Sequence, residues 1–225
     1  MELKSAVALD LQALSERYKA LDVYKRVEQL YKEFDHNDIM LTSSFAATSA
    51  FLLKVFSDIN KDQTIYFIDT GYHFKETLIY KEYLTQLYDL KVVSIQAEPA
   101  RHDLTTSTEM WKTQPNRCCH YNKVEPLQKI KDQYKIWVSG LMQWQSDFRS
   151  SLNIFEQKEA IIKFYPLLDI DYIGRDAFIR DHHIPFHPLK SKGYSSIGCS
   201  HCTVPGDDRS GRWNNSPKTE CGLHL

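Results

Sequence analysis

Residues 39–56 read Ile39-Met-Leu-Thr-Ser-Ser-Phe45, followed directly by Ala46-Ala-Thr-Ser-Ala-Phe-Leu-Leu-Lys-Val-Phe56. The first part is a short apolar run that ends in small polar residues, which predicts a buried strand and a turn. The second part predicts the helix that follows it. A strand, a tight turn and a helix form a cradle for an anion, because unpaired N–H groups of the helix point at the turn. Ser43 and Ser44 would add hydroxyl donors to this cradle.

The alternation of strand and helix continues along the chain. Strands are predicted at Thr64–Asp69, Lys91–Ile95, Lys135–Ser139 and Ile161–Tyr165, and helices at Leu9–Phe34, Phe74–Tyr88, Val124–Tyr134 and Tyr172–His182. The polar stretch from Glu98 to Pro115 predicts a loop or short helices. Strands that alternate with helices predict an α/β fold with a doubly wound, mainly parallel sheet.

Three short segments fall at the carboxyl ends of predicted strands. They are Ser43-Ser44-Phe45, Asp69-Thr70-Gly71 and Gly140. Ligands of doubly wound sheets bind beyond these strand ends, so one pocket could gather all three segments. Each segment taken alone is equally typical of an ordinary turn.

The composition restricts the classes of function. The chain has 225 residues, of which 42% are hydrophobic and 25% charged, as expected for a globular domain with a proper core. Its 28 basic and 29 acidic residues give a net charge of −1, which does not indicate a broad nucleic-acid surface. No stretch approaches the ~20 apolar residues of a membrane span, and the start does not resemble a signal peptide. We therefore expect a cytoplasmic protein with no nucleic-acid or membrane partner; an oligomer stays open.

Five cysteines fall as Cys118-Cys119, Cys199-x-x-Cys202 and a lone Cys221. In a reducing cytosol, cysteines at such spacings are more typical of ligands or nucleophiles than of disulfides. Four thiolates in two pairs can hold zinc or an iron–sulfur cluster. A directly adjacent pair is unusual for structural zinc and favours the cluster. A Cys118–Cys119 disulfide is a third, less favoured interpretation.

The lone cysteine belongs to the terminal stretch Lys218-Thr-Glu-Cys-Gly-Leu-His-Leu225. Gly222 frees the backbone after the thiol, while Lys218 and His224 supply groups that favour the thiolate. A thiol on a mobile chain end can react in a pocket and then swing out to meet a second protein. A stray surface cysteine is the alternative for the tail taken alone.

The region from Ile184 onward is irregular and rich in Gly, Pro, Ser and His. Compact domains rarely end in about 40 residues without regular structure, so something other than the core must hold this region. A metal centre that joins Cys199 and Cys202 to Cys118 and Cys119 would do so.

These motifs together resemble the assimilatory adenylyl-sulfate reductases, which belong with the phosphoadenylyl-sulfate reductases. The resemblance is carried by Cys118-Cys119-x-x-x-Lys123-Val-Glu-Pro-Leu127, Gly198-Cys-Ser-His-Cys-Thr203 and Glu220-Cys-Gly-Leu-His224. It extends from about Ile39 to the end of the chain. Shorter matches are Ser43-Ser44-Phe45, Asp69-Thr70-Gly71-Tyr72, Gly140-Leu141, Gln145-Ser146, His187-Pro188-Leu189, Gly193-Tyr194 and Gly211-Arg212-Trp213.

The resemblance implies a Rossmann-like fold shared with adenine-nucleotide hydrolases. It implies one 4Fe–4S cluster on Cys118, Cys119, Cys199 and Cys202. It also implies that Cys221 attacks the sulfur of adenosine 5′-phosphosulfate, that AMP leaves, and that thioredoxin or glutaredoxin releases sulfite from the Cys S-sulfonate. Such a reaction belongs to sulfate assimilation and cysteine biosynthesis.

The sequence patterns and the resemblance together divide the chain into three parts and indicate its contacts with substrate. We expect an N-terminal helical extension over 1–36, a nucleotide-binding α/β domain over 37–183, and a C-terminal segment over 184–225 with cluster ligands and a mobile catalytic tail. Positive charge must gather around the anionic substrate. The expected substrate-binding residues are Ser43, Ser44, Phe45, Asp69, Thr70, Gly71, Lys123, Arg149, Arg209, Arg212 and His224.

The prediction of the substrate rests on the four paired cysteines. Family members that use only the 3′-phosphorylated nucleotide typically lack them. Their presence favours adenosine 5′-phosphosulfate, and a 3′-phosphoadenylyl-sulfate or dual-specificity reductase is the alternative. The chain also departs from the family, since Met142, Gln143 and Trp144 stand where two arginines and a glutamate are usual. Ala46 replaces a usual glycine, and Asn214-Asn215 replaces an aromatic run.

Two rival classes of function predict sequence features other than those of this chain. An ATP pyrophosphatase of the same fold needs a Ser-Gly-Gly-x-Asp-Ser loop, and Leu41-Thr-Ser-Ser-Phe-Ala-Ala-Thr-Ser49 lacks its glycine pair and aspartate. A tRNA-thiolating enzyme of that kind would also need a basic surface. A non-catalytic, zinc-stabilised binding module predicts a colourless protein and no role for Cys221.

Overall fold

The computed structural model describes residues 9–213, 216, 218 and 220–223. Within them, a six-stranded sheet has the order β3-β2-β1-β4-β6-β5. The strands are β1 (Ile39–Thr42), β2 (Thr64–Asp69), β3 (Lys91–Gln96), β4 (Ile136–Val138), β5 (Phe155–Lys158) and β6 (Ile161–Phe164). Every pairing is parallel except that of β5 with β6. The predicted α/β, mainly parallel sheet is confirmed.

Helices connect the strands and cover the sheet. They are α1 (Leu11–Lys19), α2 (Val23–Glu33), α3 (Ser49–Ile59), α4 (Lys75–Tyr88), α5 (Pro99–Ser107), α6 (Met110–Thr113), α7 (Pro115–Cys119), α8 (Glu125–Lys131), α9 (Asp147–Ser150) and α10 (Tyr172–Asp181). A π-helical turn, His120–Val124, joins α7 to α8, and 3₁₀ turns span Pro188–Lys192 and Ser200–Cys202. The stretch from Glu98 to Pro115 therefore forms short helices.

The order of the strands reverses between β1 and β4. From β1 the chain moves outward to β2 and β3, and then crosses back to place β4 on the other side of β1. In a doubly wound sheet this reversal opens a crevice at the carboxyl ends of the two strands. Ile39, Met40 and Leu41 of β1 are fully buried, as expected for a strand covered on both faces.

The N-terminal region is two helices, so the prediction of one helix over Leu9–Phe34 is wrong. The break falls before α2, where the Asp22 carboxylate accepts a hydrogen bond from the Lys25 N–H and caps the new helix. Arg26 then donates to the carbonyl oxygens of Tyr18 (2.9 Å) and Lys19 (3.2 Å) at the end of α1. Two carbonyl groups at the end of α1 and one N–H group at the start of α2 thereby gain partners, which stabilises the break.

Two further differences concern the strands. β5 was not predicted, because Glu156, Gln157 and Lys158 lack the apolar alternation by which a strand is recognised. It pairs with β6 as an antiparallel edge, a position where polar residues are tolerated. β1 ends at Thr42 and α3 starts at Ser49, so the turn between them is longer than the sequence pattern indicated.

The segment after Ile184 is fastened to α4 by a buried histidine. His187 is 1% exposed; its Nδ1 accepts a hydrogen bond from the Leu189 N–H (3.1 Å), and its Nε2 lies 3.0 Å from Thr77 Oγ1. With Nδ1 accepting, Nε2 carries the proton and donates to Thr77. Burial lowers the pKa of His187 to about 4, although the carboxylate of Glu76 opposes that shift.

Acid is therefore expected to destabilise the protein through His187. An unfolded histidine titrates near pH 6.5, so the stability that His187 contributes is complete above that pH and is lost as pH falls towards 4. Between about pH 7 and about pH 5 the free energy of unfolding should fall by about 2 kcal/mol from this residue. Urea unfolding of the wild type and of His187→Asn, which keeps an acceptor for Leu189, measures the difference. An equal pH dependence in the two proteins would contradict the assignment.

Candidate active site

A cavity of about 680 Å³ opens at the carboxyl ends of β1 and β4. The turn after β1, the segment after β4, the inner side of α10 and the C-terminal tail form its wall. The predicted site residues that line it are Ser43, Ser44, Lys123, Arg149, Cys199, Arg209, Arg212 and Cys221. The cavity therefore collects four of the predicted cations and the predicted nucleophile at the strand-order reversal.

The turn after β1 supplies hydroxyl groups to the cavity. Ser43 and Ser44 lie in its wall, and α3 begins after Thr48, which makes no side-chain capping bond. The N–H groups of Ser49 and Phe51 donate instead to the carbonyl oxygens of Ala46 (3.0 Å) and Thr48 (3.4 Å), so the turn offers an anion chiefly the hydroxyl groups of Ser43 and Ser44. Phe45 differs, because its backbone has a left-handed φ of 49° and its side chain is fully buried against Phe67. Phe45 thus shapes the turn from the core side.

The turn Asp69-Thr70-Gly71 lies next to the paired cysteines and does not line the main cavity. Thr70 Oγ1 is 3.4 Å from Cys199 Sγ. The Asp69 carboxylate accepts the Gly71 N–H (3.0 Å), and Gly71 adopts a φ of +71°, which favours glycine. Two residues further on, His73 does reach the cavity wall.

The four paired cysteines surround a second, small hollow. Cys118 and Cys119 end α7, and Cys199 and Cys202 flank the 3₁₀ turn on the opposite side. Lys123 and Arg212 also line the hollow, and no carboxylate does so among the described residues. Burial, reinforced by the nearby sulfurs of Cys199 and Cys202, raises the pKa of Cys118 to about 11.

The donor set of this hollow is four thiols, which fits a metal centre held by thiolates. In the described part of the chain, no three His, Cys, Asp or Glu side chains are grouped closely enough to hold one metal ion. Thiols from two separate segments nevertheless face one space with two cations beside it. Thiolates in such a buried space need positive metal to offset their charge, and cations outside would balance a centre that carries net negative charge.

Lys123 connects the hollow with the cavity, since it lines both. Burial alone would lower the pKa of Lys123, but the sulfurs of Cys199, Cys221 and Cys119 raise it, so the side chain is an ammonium ion. A hydrogen bond from Cys119, followed by the charge of Lys123 and Arg212, lowers the pKa of Cys221 well below its usual value in spite of burial. The thiolate, the reactive form, is therefore favoured at Cys221.

Arg212 and three residues that depart from the family pattern, Met142, Gln143 and Trp144, have different neighbours. Arg212 Nη1 donates to Ser196 Oγ and to the Ile197 carbonyl oxygen, both at 3.3 Å. Met142 is fully buried in the core, and the Gln143 amide donates to the Leu152 carbonyl oxygen (3.1 Å). Neither of these two side chains lines the cavity, whereas Trp144 does.

Several cavity residues were not anticipated from the sequence. Arg175 of α10 lies 4.8 Å from the centre of the Trp144 ring, and both side chains line the cavity. Glu220 pairs with Arg149 and Arg209. The position of Glu220 beside Cys221 was a usable signal for a role, but its partners are distant in sequence. His224 and Asn214-Asn215 lie outside the described residues.

Membrane insertion by a helix finds no support in the described residues, none of whose helices is long and apolar enough to cross a bilayer.

Known proteins resemble this chain over most of its length. Residues 38–205 match the family described as "Phosphoadenosine phosphosulfate reductase domain". The "Adenosine 5'-phosphosulfate reductase" of Mesorhizobium japonicum is 36% identical, over 98% of this chain and 88% of that protein. "Adenosine 5'-phosphosulfate reductase 2" of Bacillus subtilis is 35% identical, over 96% of this chain and 94% of that protein.

Solved structures support the fold. The phosphoadenylyl-sulfate reductase of Candida auris, in a phosphate complex, superposes with a TM-score of 0.75 at 22% identity, covering 89% of this chain and 98% of that one. An FMN adenylyltransferase of Candida glabrata superposes with a TM-score of 0.59 at 16% identity, covering 90% of this chain and 70% of that one. The Rossmann-like architecture expected from the sequence is thereby confirmed.

Proposed function

Because this chain belongs to the phosphoadenosine phosphosulfate reductase family, we propose that it reduces adenosine 5′-phosphosulfate to sulfite and AMP. The choice of nucleotide follows the relatives named adenosine 5′-phosphosulfate reductase, which match nearly the whole chain. One observation carries the proposal for the chemistry. Cys221 lines a cavity whose wall carries six Lys and Arg side chains, and it lies beside the ammonium group of Lys123.

In the first step, the Cys221 thiolate attacks the sulfur of the phosphosulfate group. A sulfur–sulfur bond forms, the bond from sulfur to the phosphate oxygen breaks, and AMP leaves with that electron pair. Lys123, Arg209 and Arg212 offset the negative charge that the thiolate and the phosphosulfate bring together. The turn after β1 is suited to a phosphate oxygen, because the hydroxyl groups of Ser43 and Ser44 lie in the cavity wall at the start of α3.

In the second step, a dithiol protein such as thioredoxin or glutaredoxin removes the sulfonate from Cys221. One of its thiolates attacks Cys221 Sγ and displaces sulfite, and its second thiol then resolves the mixed disulfide. The dithiol becomes a disulfide and so supplies the two electrons that reduce the sulfonate sulfur. Nucleophilic catalysis divides a difficult reduction into two thiol exchanges. This need for a dithiol reductant is our reason for placing the enzyme in the cytoplasm.

We infer that Cys118, Cys119, Cys199 and Cys202 hold one 4Fe–4S cluster. When bound, the cluster would supply fixed charge next to Lys123 and would tie the C-terminal segment to α7. Lys123 is suited to both sites, because its ammonium group is within reach of Cys119 and Cys199 on one side and Cys221 on the other.

A 3′-phosphorylated substrate is the second candidate. Arg175 lines the cavity beside Trp144 and is not among the residues assigned to the phosphosulfate, so it is available for a further phosphate.

Sulfite release with each nucleotide, using reduced thioredoxin, tests the proposed substrate. We expect kcat/KM for adenosine 5′-phosphosulfate to exceed that for the 3′-phosphorylated form by at least about tenfold, which is ~1.4 kcal/mol of transition-state free energy. Equal or faster turnover of the 3′-phosphorylated form would transfer the proposal to that substrate. An absence of sulfite with both nucleotides would reject the reductase itself.

A further inference from the structure

We propose that Arg149 is a positioning residue, which holds the nucleophile inside the cavity by pairing with Glu220, the residue that precedes Cys221. The inference rests on the proposed role of Cys221. The positioning role is additional to the substrate contact expected of Arg149, which stays a prediction.

The pair of Arg149 and Glu220 is buried and doubly hydrogen-bonded. Arg149 is 7% exposed and Glu220 is 1% exposed. Arg149 Nε donates to Glu220 Oε1 (2.9 Å), and Arg149 Nη2 donates to Glu220 Oε2 (3.0 Å). Two parallel bonds of this kind fix both distance and orientation. Arg209 adds a third contact, with its Nη2 at 3.1 Å from Glu220 Oε1.

The same carboxylate also controls the backbone at the nucleophile. Glu220 Oε2 accepts a hydrogen bond from the Cys221 N–H (3.2 Å). The cation on Arg149 is thus connected through one carboxylate to the residue that carries the thiol. A displacement of the Glu220 carboxylate would disturb Cys221, because the two residues are adjacent in the chain and the carboxylate also accepts the Cys221 N–H.

Arg149, the partner of Glu220, belongs to the α/β body of the protein and not to the tail. Arg149 lies in α9, and its Nη1 donates to Gln145 Oε1, whose oxygen also accepts the Met142 N–H (3.4 Å). The guanidinium is therefore oriented by residues of the segment after β4. Removing one member of a buried ion pair leaves the other charge unpaired, which is strongly unfavourable. Docking of the tail is coupled in this way to the charge of Arg149.

A second anchor holds the tail on the other side of the thiol. Lys163 of β6 is buried, and its Nζ donates to the Leu223 carbonyl oxygen (3.1 Å). The Leu223 side chain packs against the apolar cluster that includes Met40 and Trp137. Cys221 therefore lies between one ionic anchor and one that combines a hydrogen bond with apolar packing.

The two half-reactions place opposite demands on this latch, formed by Arg149, Glu220 and Arg209. Attack on the substrate needs Cys221 inside the cavity, whereas a protein dithiol needs it outside. Weakening the latch should therefore slow formation of the S-sulfonate and should not slow its removal. A residue that only stabilised the fold would not separate the two steps in this manner.

The test compares Arg149→Met with Arg17→Met, both prepared with their iron. Arg17 is a surface control: it forms the same twofold contact with the carboxylate of Glu33, but that pair is partly exposed and lies far along the chain from the tail. Iodoacetamide labelling of Cys221, located by mass spectrometry, reports exposure of the thiol without any nucleotide. Single-turnover mixing then measures S-sulfonate formation, and addition of reduced thioredoxin measures its release.

In Arg149→Met we expect labelling of Cys221 to accelerate by about ten- to a hundredfold, and S-sulfonate formation to slow by a similar factor. Release by thioredoxin should stay equal or become faster, and Arg17→Met should match the wild type in all three rates. If Arg149→Met does not fold, Glu220→Gln replaces it with the same expected directions.

Unchanged labelling in the variant that folds, or equal slowing of both half-reactions, would overturn the positioning role. A wild-type protein that forms no S-sulfonate, while Arg149→Met still accelerates labelling, would instead reject the proposed function and leave the latch standing.

Discussion

Replacing Cys221 with serine should abolish sulfite release, by at least about a thousandfold, because a hydroxyl group cannot take the place of the thiolate in either step. In protein that carries its cluster, Cys119 has no proton to donate, and the charges of Lys123 and Arg212 still favour the ionised form of Cys221. A serine hydroxyl would stay protonated beside the same cations. The rate of sulfite production with reduced thioredoxin measures the loss.

The variant should keep the rest of the site. Glu220 would still pair with Arg149, and Leu223 with Lys163, so the tail should remain docked. We expect unchanged iron content and unchanged nucleotide binding, which serve as internal controls for folding. Steady turnover by Cys221→Ser would show that another group is the nucleophile.

Replacing Cys199 with serine should remove nearly all of the bound iron and loosen the segment after Ile184. Cys199 joins that segment to the body at several points: its Sγ is 3.4 Å from Thr70 Oγ1, and its backbone pairs with His73 as an isolated antiparallel bridge. Within the same segment, Thr203 bridges to Arg212. Loss of one cluster ligand would therefore act on contacts that hold the C-terminal segment in place.

Iron analysis and the absorbance near about 400 nm report the cluster, and hydrogen exchange of residues 184–213 reports the loosening. Cys221→Ser is the matched control, since it also exchanges a cysteine for serine but should keep both signals. One zinc and no iron in anaerobically prepared wild-type protein would reject the cluster and would favour a structural zinc site.

Local patterns were enough to predict most of the sheet. The bounds Thr64–Asp69 agree with β2 at both ends, because the apolar run is closed by a polar turn. The N-terminal break was missed although Asp22 is a normal capping residue, since the apolar spacing of Tyr18 and Val27 continues across it. β5 was missed because an edge strand is not required to be apolar.

The site could be predicted only where its residues form compact motifs. Cys118-Cys119, Cys199 and Cys202 were recognised from their spacing, and the structure gathers them around one hollow. The partnership of Arg149 with Glu220 joins residues 71 positions apart, and no local pattern encodes it. The turn at Asp69 shows a second limit of the sequence. The end of a strand predicts that the turn lies at the edge of the sheet, but it does not predict whether the turn faces the main cavity or the hollow between the cysteines.

The most direct test of the proposed chemistry is the mass of the protein after incubation with adenosine 5′-phosphosulfate in the absence of any reductant. Our account predicts one added SO₃ group per chain, located by peptide mapping on the terminal peptide at Cys221 and removed by reduced thioredoxin. An SO₃ group on any of the other four cysteines, or no adduct in protein that carries its iron, would contradict it.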